Sequence, residues 1–241
     1  MKITFLGTGE AFDVVPNVSF VVESKNTKLL VECGPVTPIQ LWKYKKEDID
    51  AIYLSHSHAD HTFGLPSVLI RMLEEARTKP LMIIGWKGID KWFKKINEIA
   101  FRGLLRYRQF PVKIIEIPGK KIKIKDILLE SARSNHPVEN NSLKITCNKK
   151  ILCYSGDGTI TAATKKLYKE CDFLIHEAQH LDEGFFGHPS LKAVIELQNE
   201  LKIKKVAIVH LKRNFRTNKK MLAKMKSSKL FFPEEGTIIR L

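Results

Sequence analysis

The stretch DIDAIYLSHSHADHTFGLP, residues 48–66, decides how this chain folds. Its first half, DIDAIYLS, is an apolar run of strand length and suits a buried strand. The run stops at HSHADH, residues 56–61, and Pro66 is well placed as the first residue of a helix running to about Arg77. The loop between strand and helix carries three histidines and an aspartate in six positions. In extended chain, side chains at i and i+2 face the same side, so His56 and His58 can grip one ion. Asp60 and His61 come after the chain turns and can grip a second ion close by. A lone histidine is more often packed or solvated than a ligand. Three in one loop repel one another when protonated, and metal binding explains the crowding.

Two metal sites need more ligands than one loop supplies. His136 in ARSNHPVEN, Asp157 in YSGDG and His210 in AIVHL all follow strand patterns and are available. Taken singly, each has an ordinary alternative: a residue before a proline turn, a turn aspartate between glycines, the end of a strand. Imidazoles and carboxylates together suit Zn²⁺, with Mn²⁺ or Fe as alternatives, and a carboxylate can bridge two ions. All eight histidines, which include His176, His180 and His188, fall at or just beyond strand ends or in loops. That is where α/β folds place chemistry.

Outward from the loop, strands are expected at 2–6, 18–23, 28–32, 81–85, 112–117, 172–177 and 205–211. KIKIKDILLESARS, LKITCN and KILCYSG read as further strands, and TIIRL as the last. Helices are expected at 38–45, 90–101, about 160–170, 190–201 and 217–227. The mixture favours an α/β chain with two sheets and outer helices, one domain over residues 1–241.

The 241 residues include 41 Lys+Arg against 26 Asp+Glu, a formal charge of +15. Residues 201–233 hold eleven of the basic residues and no acid, and 102–125 hold eight against Glu116; the remainder is nearly balanced. Two such segments can seek phosphate, as in nucleic-acid contact, or can be solvated faces of a lysine-rich protein. With 44% hydrophobic and 28% charged residues, disordered and collagen-like chains are excluded. No apolar run of about 20 residues occurs, so no membrane helix is expected. MKITFLGTGEAF reads as a strand entering a glycine turn and not as a signal peptide. Cys33, Cys147, Cys153 and Cys171 form no CxxC pair, which argues for reduced thiols and a cytoplasmic protein.

HSHADH also matches the HxHxDH motif of the metallo-β-lactamase superfamily, and the chain resembles the ribonuclease Z-like branch of it. ITFLGTGEA, Cys33-Gly34, His136, SGDG and His210 match further landmarks in order, over roughly residues 1–215. The resemblance implies an αββα four-layer sandwich with a binuclear site at the sheet edge. It assigns His56, His58 and His136 to one metal and Asp60, His61 and His210 to the other, with Asp157 bridging. LIHEAQHLDEGFFGHPS looks like the branch's second motif, which makes Glu177 and His188 a pair assisting proton transfer near the leaving group. Pro189 and Ser190 equally suit a helix start, and both roles can hold together. Three departures stand out: Glu32 before Cys33 where aspartate is common, Gly158 after Asp157 where threonine is common, and only 21 positions from His136 to Asp157. The last leaves no room for the tRNA-clamping arm of the ribonuclease Z enzymes.

The implied function is a metal-dependent hydrolase working by attack of a metal-bridging hydroxide. Asp60 would ligate and accept the water's proton, and His188, oriented by Glu177, would be the acid for the departing oxygen. The expected substrates are phosphodiesters: RNA ends, cyclic phosphodiesters or small nucleotides. A lactone or thioester hydrolase on the same metal set is the alternative. His58 argues against a flavodiiron-type oxidoreductase, and a nucleic-acid module with a structural site fits the complete ligand set poorly. No membrane partner is expected, and a homodimer is admitted.

Overall fold

Both faces of the strands are apolar, and that determines the layers. In Lys2–Gly7 (β1), Ile3 and Phe5 point to one side and Leu6 to the other, all fully buried. A strand coated on both faces needs a cover on both. The computed structural model describes residues 1–241. After β1 come Ser19–Glu23 (β2), Lys28–Val31 (β3), Thr37–Lys43 (α1), Ala51–Tyr53 (β4), Ala59–Thr62 (α2) and Leu65–Glu74 (α3). Leu81–Gly85 (β5), Ile89–Ala100 (α4) and Val112–Glu116 (β6) complete the first half. The second half runs through Ile122–Ile124 (β7), Ile127–Arg133 (β8), Asn141–Cys147 (β9), Lys150–Tyr154 (β10), Ala162–Tyr168 (α5) and Phe173–Glu177 (β11). Leu191–Leu201 (α6), Lys205–Val209 (β12), Arg213–Arg216 (α7), Lys219–Met225 (α8) and Leu230–Phe231 (β13) follow, and Ile238–Arg240 (β14) ends the chain.

The strands form two seven-stranded sheets, ordered β14-β1-β2-β3-β4-β5-β6 and β13-β12-β11-β10-β9-β8-β7. Each is antiparallel through its early strands and parallel through its late ones, with β3 to β6 parallel in one and β10 to β13 in the other. Residues of both sheets, among them Phe5, Tyr53, Leu143, Tyr154 and Ile175, share the central core. The outer face of the first sheet packs on α1, α3 and α4, with Leu41, Leu69 and Ile89 buried there. The second packs on α5 and α6 through Tyr168, Val194 and Leu197. This is the expected αββα sandwich.

Two elements depart from the expectation. KIKIKDILLESARS is not one strand but the hairpin β7–β8, turning at Lys125-Asp126 with Lys125 at φ 48°. The Ile/Lys alternation hides the turn, which the fold fixes by hydrogen bonds from Ser24 and Thr27 hydroxyls to the Asp126 carboxylate, at 2.7 and 2.6 Å. The helix expected at 217–227 is α8 alone, capped by Asn218, whose side chain accepts from the Met221 N–H; the separate α7 precedes it. The four cysteines are free and buried, and no helix is long and apolar enough to cross a membrane.

The topology gathers strand ends. β4, β10, β11 and β12 deliver their C-terminal ends, and β8 its following loop, to one edge of the sandwich.

Candidate metal centre

The chain leaves β4 through Ser55 and turns at His56 and His58 into α2, which carries Asp60 and His61. Close backbone approach holds this turn: Cys33 N–H donates to the His61 carbonyl at 2.8 Å, and Gly64 N–H to the Cys33 carbonyl at 2.8 Å. Gly34 is required there, because a Cβ would collide with the Asp60 carbonyl oxygen. His136 lies in the loop after β8, Asp157 in the turn after β10, Glu177 at the end of β11 and His210 just beyond β12. His210 has φ 54°, a left-handed conformation unusual for a histidine, and its N–H donates to the Thr8 carbonyl at 2.9 Å. That kink breaks β12 at the candidate ligand His210.

Three donor groups result, each with its donor atoms within 4.8 Å of one another. His56, His58, His136 and Asp157 form one; Asp60, His61 and His210 form the second; Asp157, Glu177, His188 and His210 form the third. Asp157 Oδ2 stands between them, 3.8 Å from His56 Nε2, 3.5 Å from His61 Nε2 and 3.4 Å from His210 Nε2. Asp60 Oδ2 is 3.3 Å from His61 Nε2 and 3.4 Å from His210 Nε2. All seven residues expected as ligands therefore converge, and Glu177 and His188 lie beside them, with His188 Nδ1 and Glu177 Oε2 2.8 Å apart.

Divalent cations fit this set. His56 Nε2, both ring nitrogens of His61 and of His136, and Asp157 Oδ1 are buried without a hydrogen-bond partner. Orphaned imidazole nitrogens facing orphaned carboxylate oxygens are costly unless a cation joins them. The protonation states agree. Burial pushes His136 down to about 4, the neutral form a ligand needs. Burial would also lower His210, but Asp157 and Asp60 outweigh it and raise it to about 9. His61 is raised by Asp157, Asp60 and Glu32 against its burial. A metal ion displaces protons that the carboxylates otherwise hold on His61 and His210, so binding releases protons and weakens as pH falls. Zinc titrations in buffers of different ionisation enthalpy should show proton release near pH 7 and tighter binding at higher pH. Absence of any proton release would contradict this donor set.

The remaining histidines differ. His176 is buried behind the site against Tyr168, its Nδ1 2.8 Å from the Glu177 carbonyl oxygen, and burial pushes it down to about 4. His180 packs beside Phe185 and Phe215. Ser190 caps α6, its hydroxyl accepting from the Ala193 N–H, so the helix-start role of HPS stands next to the placement of His188.

Several supporting residues carry no signal in the sequence. Asn140 is fully buried and clamps the ligand turn: its Nδ2 donates to the Ser155 carbonyl and Ser134 Oγ, and its Oδ1 accepts from the Asp157 N–H at 3.2 Å. Gly156, at φ 60°, gives Asn140 its room, since a Cβ there would strike the amide. Glu177 accepts from the Gly158 N–H, which ties the strand end of β11 to the same turn. Glu32, one of the departures, keeps a carboxylate 3.5 Å from His61 Nδ1 and accepts from the Ser55 N–H. In the basic stretch after His210, Arg213 pairs with Glu10 at 2.9 Å and Arg216 with Asp13 at 2.6 Å, while Lys219, Lys220, Lys224, Lys226 and Lys229 stay exposed.

A family model described as anti-Pycsar protein Apyc1 matches residues 1–232. The chain belongs to this family. Apyc1-family membership is joined by likeness to ribonuclease Z sequences, as for that of Clostridium novyi, 29% identical over 166 residues. That match covers 62% of this chain and 52% of the relative, and the chain spans about half the length of the curated relatives it matches. The short form of human tRNase Z superposes with TM-score 0.82 at 21% identity, covering 100% of this chain and 99% of the other. The metallo-β-lactamase fold protein YhfI from Bacillus subtilis gives 0.82 at 20%, covering 99% and 98%. This Apyc1-family chain thus has the metallo-β-lactamase fold, as its HSHADH loop implied, and is similar in sequence to ribonuclease Z.

Proposed function

We propose that this chain is a binuclear metal-dependent phosphodiesterase acting on cyclic phosphodiesters, small nucleotides or RNA ends. The observation that carries the reading is the Glu177–His188 pair set against a complete seven-residue donor cluster. Ribonuclease Z relatives and the Apyc1 family match support it from outside. His56, His58 and His136 would hold one ion, Asp60, His61 and His210 the other, with Asp157 between them. When bound, the ions lower the pKa of water towards neutrality and stabilise charge on the phosphoryl oxygens.

The chain's own groups do the rest. Asp60 would serve as ligand and as acceptor of the attacking water's proton. Burial would raise its carboxyl, but His61 and His210 hold it well below the usual range, in the anionic form a ligand needs. Glu177 orients His188 through Nδ1, leaving Nε2 for the departing oxygen in the cavity that His188 lines. That cavity, about 470 Å³, has His58, Asp60, Asp157 and His210 on its floor and is of small-molecule size. The 21 positions from His136 to Asp157 are taken up by a short loop and the β9–β10 hairpin, which leave no room there for the clamping arm of the ribonuclease Z enzymes. Compact substrates are favoured.

Purified protein should carry about two divalent ions per chain and hydrolyse bis-p-nitrophenyl phosphate. Asp60→Ala should abolish that turnover. Activity on a lactone or thioester alone would sink the phosphodiesterase reading, and activity surviving Asp60→Ala would sink the assigned roles.

A further inference from the structure

The geometry points to Phe12 as the residue that holds a planar ring of the substrate, so that the site takes nucleotide diesters in preference to ring-free ones. This assignment rests on the phosphodiesterase reading and narrows it. Phe12 lies on the wall of the metal cavity, in the loop that follows β1, with Glu10 and Ala11 beside it and Asp60, Asp157 and His188 lining the same cavity. Phe12 is 78% exposed. A single exposed aromatic needs no explanation by itself. What distinguishes Phe12 is that the fold holds it out rigidly beside the reaction centre.

The brace is built from buried charge. Glu10 is 3% exposed, and both its oxygens are committed: Oε2 accepts from the Phe12 N–H at 2.7 Å and Oε1 from Arg213 at 2.9 Å. One turn of α7 further on, Arg216 reaches the same loop, bonding Thr8 Oγ1 at 2.9 Å and pairing with Asp13. Asp13 Oδ1 accepts from the Val15 N–H, closing the loop on itself. Two arginines following the ligand His210 thus fix the loop that follows β1. Glu10 lines the cavity and directs both its oxygens into these bonds. Its work is to set the backbone of Phe12. The Arg213 guanidinium lies 6.0 Å from the ring centroid, at the edge of cation–π range.

An open aromatic face at fixed distance from a phosphoryl site suits base stacking, which is tolerant of base identity because every base has a π-face. On this loop Asn17 Nδ2 is spent on the Glu10 carbonyl at 3.1 Å. The ring subsite therefore selects for a planar group.

Two esters with the same leaving group test this: thymidine 5′-(p-nitrophenyl) phosphate and methyl p-nitrophenyl phosphate. The ratio of their kcat/KM values should fall about tenfold in Phe12→Ala, mostly through KM for the nucleotide. Phe12→Leu should fall similarly, since it is apolar but not planar, and Phe12→Trp should keep the wild-type ratio. An unchanged ratio in Phe12→Ala, or equal losses on both esters, overturns the ring subsite. If wild-type protein hydrolyses neither ester, the phosphodiesterase reading has failed separately. Calorimetric binding of thymidine monophosphate against methyl phosphate then decides: a preference lost in Phe12→Ala upholds the subsite, and equal affinities overturn it.

Discussion

Asp157→Asn should lower kcat/KM by about 10³-fold or more and reduce the number of divalent ions retained, in a protein that still folds. The size follows from position. Asp157 Oδ2 lies within 3.8 Å of nitrogens from His56, His61 and His210, so one carboxylate serves both donor groups. Removing its charge leaves His56, His58 and His136 without an anionic partner, and lowers the attraction of the His61–His210 side for a second cation. On the proposed two-ion reading, several kcal/mol of transition-state stabilisation would depend on both ions, and each tenfold in rate is about 1.4 kcal/mol. Folding is spared because the turn is held by backbone. The Asp157 N–H is bonded to Asn140, the Asp157 carbonyl to Ser134 and the Gly158 N–H to Glu177. Metal analysis and circular dichroism on the same sample separate the outcomes. A variant that keeps the wild-type metal content and rate would remove Asp157 from the centre of the site.

What the sequence discloses and what it hides divide by range. HSHADH is local: an apolar run, a loop and Pro66 are contiguous, so strand, ligands and helix are readable together. His136, Asp157 and His210 are readable because each follows a strand pattern, and the parallel order of β10, β11 and β12 carries their ends to one edge. The supports of the site are long-range and aperiodic. Arg213 and Glu10 are 203 positions apart, and nothing in either neighbourhood announces the pair. Asn140 sits in a polar loop where any of several residues could have faced inward; only the left-handed Gly156 beneath it decides. The hairpin turn at Lys125-Asp126 is masked by an Ile/Lys alternation, although its anchor, the Ser24 and Thr27 hydroxyls, is about a hundred positions upstream. Local chemistry is therefore legible, and the bracing that gives it rigidity is not.

The sharpest test of the proposed proton-transfer pair, Glu177 and His188, is its dependence on leaving group and pH together. His188→Ala should cost about 10²–10⁴-fold on a diester with an alkoxide leaving group and far less on a p-nitrophenyl ester, whose phenolate departs without a proton. The direction of the pH profile follows from the neighbours. Burial would lower His188, but Glu177 outweighs it and raises its pKa, with Asp157 adding to the effect; the Glu177 carboxyl is itself raised by burial and by Asp157. A raised pKa keeps the imidazolium acid available to higher pH, so the alkaline limb for the alkyl diester should lie above the ordinary histidine value of about 6.5. Glu177→Gln removes the charge that holds the proton and should move that limb to lower pH, making the loss of rate larger at pH 8 than at pH 6. The p-nitrophenyl ester should show no such movement. A structural role for Glu177 would depress both esters alike at every pH, because tying β11 to the Asp157 turn serves any substrate. Only an acid held at Nδ1 by Glu177 and acting through Nε2 links the pH shift to the leaving group.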